Sequence, residues 1–276
     1  MNTFMENNKL KNVIFWIGVK SDDTLLVQKN QYGDFSWMEY SRKTWEYWAN
    51  KNNCYFVAYD TTKDSNHSKH KVTWQRWFDV FDFIESKGIY DYDQILSVDA
   101  SIMVKWNMPN IFNDTEHKFC SLRANENMKW TFESMSGYQD MFRTTFRCND
   151  YFAGGYRIFN KSHRDIFKKL EQFYYDNYDT ISEKENKTVK RGTDQPVANF
   201  FLRENNIDIK LLPIVYGVSH LYRKEVLINN WQLNEDPTPH FIKHFYTWIF
   251  SGWPDRGDTR TNLMSQTWNI VKHYYV

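Results

Sequence analysis

Cysteine is scarce: Cys54, Cys120 and Cys148 are the three in 276 residues. They are widely spaced and fit neither a zinc-ligand pattern nor a disulfide framework, and their odd number points to a reducing compartment. Charge of one sign is lacking as well, with 35 basic residues against 34 acidic ones. No block of basic residues stands out, which disfavours a nucleic-acid binder driven by phosphate neutralisation. The opening residues MNTFMENNKLKN carry no apolar signal core. No run approaches the ~20 apolar residues of a membrane span. There is no internal repeat and no low-complexity segment. These absences lead us to expect a soluble, cytoplasmic protein. Its length suits one large α/β domain or two small ones.

What is abundant is aromatic: 21 Phe, 18 Tyr and 12 Trp. Most of them are expected to replace aliphatic side chains in the core. Val13 to Val19 reads as a first strand, and Trp37 to Asn50 as a helix whose Trp37, Tyr40, Thr44, Tyr47 and Trp48 share a face. Cys54 to Asp60 reads as a second strand. Strand, helix, strand begins a right-handed parallel unit. The polar stretches Lys20 to Gly33 and Thr61 to Lys71, the latter with His67 and His70, read as loops. Thr73 to Lys87 is expected to be one helix, stopped by Gly88.

Further along, Phe119 to Leu122 reads as a short strand, and Met128 to Phe146 shows no clear pattern. Tyr151 to Asn160 reads as a strand with Gly154 and Gly155 inside it, where glycines mark a bulge or a close approach of backbone. A helix is expected from His163 to about Tyr178, capped by Ser162. Thr180 to Arg191 reads as a charged, flexible loop. Thr193 is expected to cap a helix from Asp194 to Asn205, with Pro196 near its first turn. Ile209 to Pro213 and His240 to Tyr246 read as short strands, Gly252-Trp253-Pro254 as a turn, and Asn262 to His273 as a last helix.

The segment most suggestive of function runs from Asp91 to Phe112. Its apolar run Ile95-Leu96-Ser97-Val98 ends on Asp99, and a second apolar run, Ile102 to Val104, follows at once. A carboxylate at the carboxyl end of a buried strand lies where open α/β sheets bind ligands. A buried carboxylate needs a partner, and a divalent cation is one candidate. Tyr92-Asp93-Gln94-Ile95-Leu96-Ser97-Val98-Asp99-Ala100-Ser101, with Pro109 and Ile111-Phe112 beyond, resembles the metal-binding strand of glycosyltransferases of the GT-A fold. The nearest branch is the glycogenin-like and bacterial galactosyltransferase-like one. That family has Asp-x-Asp where this chain has Asp99-x-Ser101, and a serine supplies an oxygen without a charge.

Three later pieces extend the resemblance in the family's order. They are Phe152 to Asn160 with its two glycines, Asp194-Gln195-Pro196-Val197-Ala198-Asn199, and a histidine in the C-terminal part, His244 or His240. The resemblance implies an α/β fold with a mostly parallel central sheet flanked by helices. It implies a single domain whose nucleotide-binding half covers about 1–112 and whose acceptor half covers about 113–276. The implied activity is hexosyltransferase-like. A sugar passes from a nucleotide-diphosphate donor, with uridine expected, to a hydroxyl on a glycan, a lipid-linked acceptor or a protein.

The same resemblance implies Mn2+ or Mg2+ held by Asp99, Ser101 and His244 or His240. It places Asp60, Trp74, Arg76, Asp99, Gly154 and Gly155 against nucleotide and sugar. Asp194 and Gln195 become the catalytic pair, Asp194 orienting a hydroxyl or acting as a base. Bland readings stand beside these: Asp60 as a cap, Trp74 as core, Arg76 paired along its helix with Asp79 or Asp82, and Asp194 at a helix N-terminus. A non-catalytic carbohydrate-binding protein of the same fold is the alternative, motivated by Ser101. A sugar nucleotidyltransferase ranks last, because Gly18-Val19-Lys20-Ser21 offers one glycine and one lysine where that class needs a glycine-rich basic loop.

Overall fold

In the first strand, Ile14 and Trp16 alternate with Val13, Phe15 and Ile17, and every one of these side chains is buried. A strand buried on both faces must lie inside a sheet covered on both sides. A computed structural model shows this arrangement. It describes residues 11–19, 35–60, 71–124, 128–190, 192–217, 238–251 and 258–276.

The strands are β1 (Lys11–Ile17), β2 (Tyr55–Tyr59), β3 (Tyr92–Asp99), β4 (Ile102–Val104), β5 (Phe119–Arg123), β6 (Phe152–Asn160), β7 (Ile209–Leu211) and β8 (Thr247–Ile249). The helices are α1 (Trp37–Lys51), α2 (Val72–Phe78), α3 (Val80–Ser86), α4 (Met128–Tyr138), α5 (Arg164–Asp176), α6 (Tyr178–Glu183), α7 (Asp194–Glu204), α8 (His240–His244) and α9 (Asp258–Val271). Six strands form the main sheet in the order β2-β1-β3-β6-β5-β7, and β4 pairs with β8 in a separate ribbon. β1 runs parallel to β2 and β3, and β7 runs parallel to β5. β6 lies antiparallel between β3 and β5. The central sheet is thus mixed but mostly parallel, with helices on both faces.

The two faces hold two cores. Ile14, Trp16, Leu96 and Val98 pack with Trp45 and Trp48 of α1 and Leu263 and Met264 of α9. Val13, Phe15 and Ile95 pack with Trp74 and Trp77 of α2, Ile84 of α3, Phe167 of α5 and Phe200 of α7. Tryptophans stand in the core with their polar edge satisfied. Trp45 Nε1 donates to the Ile102 carbonyl at 2.8 Å, and Trp48 Nε1 to the Met108 carbonyl at 2.9 Å. A buried indole N–H ordinarily finds such a partner.

Several elements differ from expectation. The helix expected from Thr73 to Lys87 is two helices that meet at Asp79, whose carboxylate accepts from the Tyr59 hydroxyl at 2.7 Å. The cap expected of Ser162 is supplied by Asn160, which accepts from the Ser162 amide, and Thr193 stands at the N-cap position as expected but makes no side-chain cap hydrogen bond. Thr180 to Lys190 is largely helical, with a π-helical turn at Lys184–Thr188. Two of its charges are held: Lys184 Nζ reaches the Gly137 carbonyl at 2.9 Å and Asp140 at 2.8 Å, and Glu185 accepts from Lys71 and Trp74. Met128 to Tyr138, without a legible pattern, is helical, and its Thr131, Ser134 and Tyr138 are the residues turned inward. The strand expected over His240 to Tyr246 is the short helix α8 followed by β8. Pro239, just before the first turn, is compatible with that helix start. The expected loops Lys20–Gly33 and Thr61–His70 and the turn Gly252-Trp253-Pro254 lie outside the described residues.

Leu96, fully buried in the central strand, tests this core. Leu96→Ala is expected to cost about 2–5 kcal/mol, read from the shift of the urea unfolding midpoint.

Candidate functional site

The strand neighbours decide where the chemistry gathers. Ile17, the last residue of β1, pairs with Asp99, the last of β3, so both end at one edge of the sheet. β6 runs the opposite way, and Val98 pairs with Tyr156. The start of β6, with Gly154 and Gly155, therefore meets the end of β3.

Arg76 of α2 reaches into this corner. Its Nη1 donates to Asp99 Oδ1, and its Nη2 donates to Asp194 Oδ2 at 2.8 Å. The Arg76 and Asp194 side chains are 6% and 2% exposed, whereas Asp99 keeps 32%. Asp194, at the start of α7, also accepts from Trp77 Nε1 at 2.7 Å and from the Thr193 hydroxyl at 2.8 Å. Burial opposes the charge on Arg76, but Asp194 and then Asp99 outweigh it and hold the guanidinium charged. Burial likewise pushes the Asp194 carboxyl up, and Arg76 followed by Arg157 brings it below its ordinary value.

The glycines allow this packing. A Cβ on Gly155 would stand 2.6 Å from Asp99 Oδ2, and one on Gly154 would stand 3.2 Å from Arg76 Nη2. A methyl group at Gly155 would displace the carboxylate. The Gly154 amide donates to Gln195 Oε1 at 3.0 Å, which ties β6 to α7. Asn199, one turn on, exchanges hydrogen bonds with both the amide and the carbonyl of Phe152, at 2.9 and 3.0 Å. Behind them lies Arg157, fully buried, with its guanidinium 4.0 Å from the Trp77 ring and donating to Ser97 Oγ at 2.8 Å. Burial, then the like charge of Arg76, depresses Arg157 to about 9.

A cavity of about 260 Å³ opens on this corner, lined among others by Thr73, Arg76, Asp99, Ser101, Ser251 and Arg260. Arg260 of α9 donates from Nε to the Phe250 carbonyl at 2.8 Å and stacks 4.6 Å above the Trp37 ring. Sequence reasoning missed Arg260, which falls before the expected last helix of Asn262 to His273 and belongs to no motif; α9 begins earlier, at Asp258. Trp77 was not singled out either, since an indole N–H aimed at a carboxylate leaves no mark in sequence.

The expected residues distribute unevenly over this site. Arg76, Asp99, Gly154, Gly155, Asp194 and Gln195 come together. Arg76 pairs with the two carboxylates and not with Asp79 or Asp82. Trp74 does not present a stacking face. It is fully buried, its ring lies 4.4 Å from that of Tyr174, and its Nε1 donates to Glu185 at 2.8 Å. Asp60 follows β2 as an exposed residue and is not part of the cavity lining. His240 and His244 are exposed, one helical turn apart on α8, with ring centroids at 5.8 Å; neither lines the cavity.

Whether a divalent cation fits is a question of donors. Asp99 has one oxygen engaged by a guanidinium and the other against Gly155, and Ser101 offers no charge. Among the described residues, no group of three or more His, Cys, Asp or Glu is gathered to hold a metal. The described residues do not make the set that Asp99, Ser101 and the histidines were expected to form.

With this geometry in view, the fold can be compared with known structures. A glycosyltransferase involved in the glycosylation of the major capsid of PBCV-1 superposes with a TM-score of 0.54 at 10% identity, over 93% of this chain and 99% of that one. The chain has a glycosyltransferase fold. Mouse xyloside xylosyltransferase 1 aligns at a TM-score of 0.49 and 8% identity, over 87% of this chain and 97% of that one. The glycosyltransferase GlyE of Streptococcus pneumoniae aligns at 0.46 and 11%, over 96% of this chain and 63% of that one. No protein-family model matches the chain, and no curated protein matches its sequence. Among the described residues, no helix is long and apolar enough to cross a membrane.

The depressed Asp194 carboxyl has a pH signature. A lowered folded value adds stability that is present above the unfolded value of about 4 and is lost as pH falls toward the folded one. Wild-type urea midpoints should therefore drop below about pH 4. Asp194→Asn, which leaves the guanidinium with one of its two carboxylates, should lose about 3–5 kcal/mol at neutral pH and show a flatter acid limb. An unchanged acid limb would contradict the assignment.

Proposed function

We propose that this protein transfers a sugar from a nucleotide-diphosphate donor to an acceptor hydroxyl. The observation that carries the reading is the Arg76–Asp99–Asp194 constellation at the carboxyl edge of β1 and β3, opening on a cavity in a glycosyltransferase fold. Ligands of open α/β sheets bind at that edge. In the reaction, the bond from the anomeric carbon to a phosphate oxygen breaks, and its electron pair stays on the diphosphate. The acceptor oxygen forms the new bond and gives up its proton to the departing diphosphate or to water. Charge that develops on the leaving diphosphate is what a fixed cationic site stabilises.

Asp194 does not suit the part of a base. It is 1% exposed and already accepts from Arg76, Trp77 and Thr193. Its role is to aim Arg76. Gln195 holds the Gly154 amide and so places the glycine backbone beside the donor sugar. Asp99 keeps exposed area toward the cavity and is the carboxylate that can meet a sugar hydroxyl. Uridine as the donor base and a glycan, lipid-linked sugar or protein as the acceptor remain proposals of the same reading.

Ser101 favours a second reading, a carbohydrate-binding protein that keeps the fold without turnover. One experiment separates the two: release of nucleoside diphosphate from a panel of uridine- and guanosine-diphosphate sugars, with and without candidate acceptors. Transfer or hydrolysis of one donor is expected. Asp99→Asn should lower that rate about a hundredfold or more, with native circular dichroism. Sugar binding with no turnover of any donor would favour the second reading.

A further inference from the structure

We infer that the cleft between the second half of α1 and the end of α9 is a carbohydrate-binding site of its own, which takes an uncharged sugar unit of an oligosaccharide at a distance from the transfer centre. The inference rests on the carbohydrate reading proposed above, in either of its forms, and adds a place where a longer sugar chain is held.

The cleft has a volume of about 430 Å³ and is lined by Lys43, Glu46, Tyr47 and Asn50 of α1, Trp268 of α9, and Tyr275 beyond it. Its walls are largely aromatic. The ring centroids of Trp268 and Tyr275 lie 5.5 Å apart, Tyr275 meets Tyr47 edge-on at 5.2 Å, and Tyr40 flanks Trp268 at 6.3 Å. Tyr275 is fixed by its hydroxyl, which donates to the Val104 carbonyl. Three other polar edges are unbonded within the described protein. The Trp268 indole N–H, the Tyr47 hydroxyl and the Asn50 amide have no hydrogen-bond partner among the described residues, and all three reach solvent. Trp45 and Trp48 of α1 are the contrast, since both of their indole N–H groups donate to backbone carbonyls inside the core. Lys43 stands 3.5 Å from Glu39, and Glu46 stands 2.7 Å from Arg42. With one lysine and one glutamate, the lining carries no net charge.

These features fit one class of ligand. A nucleotide or other anion finds no excess positive charge here. A purely apolar partner would strip water from three polar groups and give them nothing in return. A sugar ring meets both requirements. Its C–H face carries partial positive charge and packs against the negative face of an aromatic ring. Its hydroxyls both donate and accept, and so serve an amide, a phenol and an indole N–H alike. The position of the cleft points to a chain rather than a single sugar. The transfer cavity is lined by Trp37 and Met38 at the start of α1 and by Arg260 near the start of α9. The cleft is lined by later residues of the same two helices. At about 1.5 Å of rise per residue, Glu46 stands about 12 Å along α1 from Met38. One sugar unit is too short to reach from one to the other, and a chain of several is long enough. The cleft is thus placed to hold the far end of a glycan acceptor whose near end lies at the transfer centre.

The test is calorimetric titration of the full chain with maltotetraose, cellotetraose, xylotetraose, mannotetraose and chitotetraose, beside turnover of the nucleotide-sugar panel. At least one tetrasaccharide is expected to bind with a dissociation constant of about 1 mM or tighter. Trp268→Ala should weaken that binding about tenfold or more, and Asn50→Ala, a change at an exposed helix position, about threefold or more. Thermal melts report whether Trp268→Ala keeps its fold; Asn50→Ala and Tyr47→Phe carry the test if it does not. Binding that Asn50→Ala and Tyr47→Phe both leave unchanged overturns the inference, because the sugar then sits elsewhere. Failure of every tetrasaccharide to bind also overturns it, and turnover of a donor in the same protein would leave the transferase reading standing alone. A dimer in light scattering that Trp268→Ala disperses would assign the cleft to a second copy of the chain and overturn the inference as well. Binding that depends on Trp268 and Asn50, with no donor turned over, supports the cleft and favours the non-catalytic reading of the fold.

Discussion

A buried guanidinium between two carboxylates is the constraint on which the rest of this structure depends. Taking Arg76 and Asp194 out of water costs several kcal/mol per ion, and only close pairing with further hydrogen bonds offsets it. The protein supplies those bonds from three directions. Arg76 comes from α2, Asp99 from the end of β3, and Asp194 from the start of α7, where Trp77 and Thr193 complete its set of donors. Two helices on one face of the sheet and the end of its central strand thus meet at one charged node. Breaking it leaves a charge buried without its partner.

The topology makes the node possible. Parallel β1 and β3 end together, and β6, the reversed strand, begins where they end. A reversed strand brings backbone to the edge without a crossing loop. Gly154 and Gly155 there let it approach Asp99 and Arg76 within van der Waals distance. The aromatic cores on the two faces hold α2 and α9 in place, and these helices carry the two arginines of the cavity. Packing, charge and cavity are in this sense one arrangement.

Much of this was legible in the sequence, for physical reasons. β1, β2, β3 and β6 are apolar runs with clear ends, and burial on both faces forces such composition. Asp99 was readable because a carboxylate closing such a run needs a partner, although that partner is Arg76. The glycines and the Asp194-Gln195 pair were readable because backbone approach and a helix start both leave residue-level marks. The failures are equally specific. The two histidines in His240 to Tyr246 resembled an alternating strand, but so short an apolar-polar run fits a helical turn as well, and Pro239 stands at its start. The resemblance placed Trp74 against the nucleotide, whereas the residue type favoured the core, and two residues along the helix turn Trp74 inward and Arg76 toward the cavity. Arg260 left no signal because its role comes from the way α9 packs over Trp37. The charged stretch around Glu185 read as a flexible loop, whereas Lys71 and Trp74 hold that carboxylate in the interior.

The central claim is energetic coupling through Arg76, and a double-mutant cycle measures it most directly. Arg76→Met, Asp194→Asn and the double variant would be compared by urea unfolding at neutral pH. If the guanidinium is bound as described, the pair should couple by about 2 kcal/mol or more, with the double variant far more stable than the sum of the singles implies. Additive effects, with coupling below about 0.5 kcal/mol, would contradict the account.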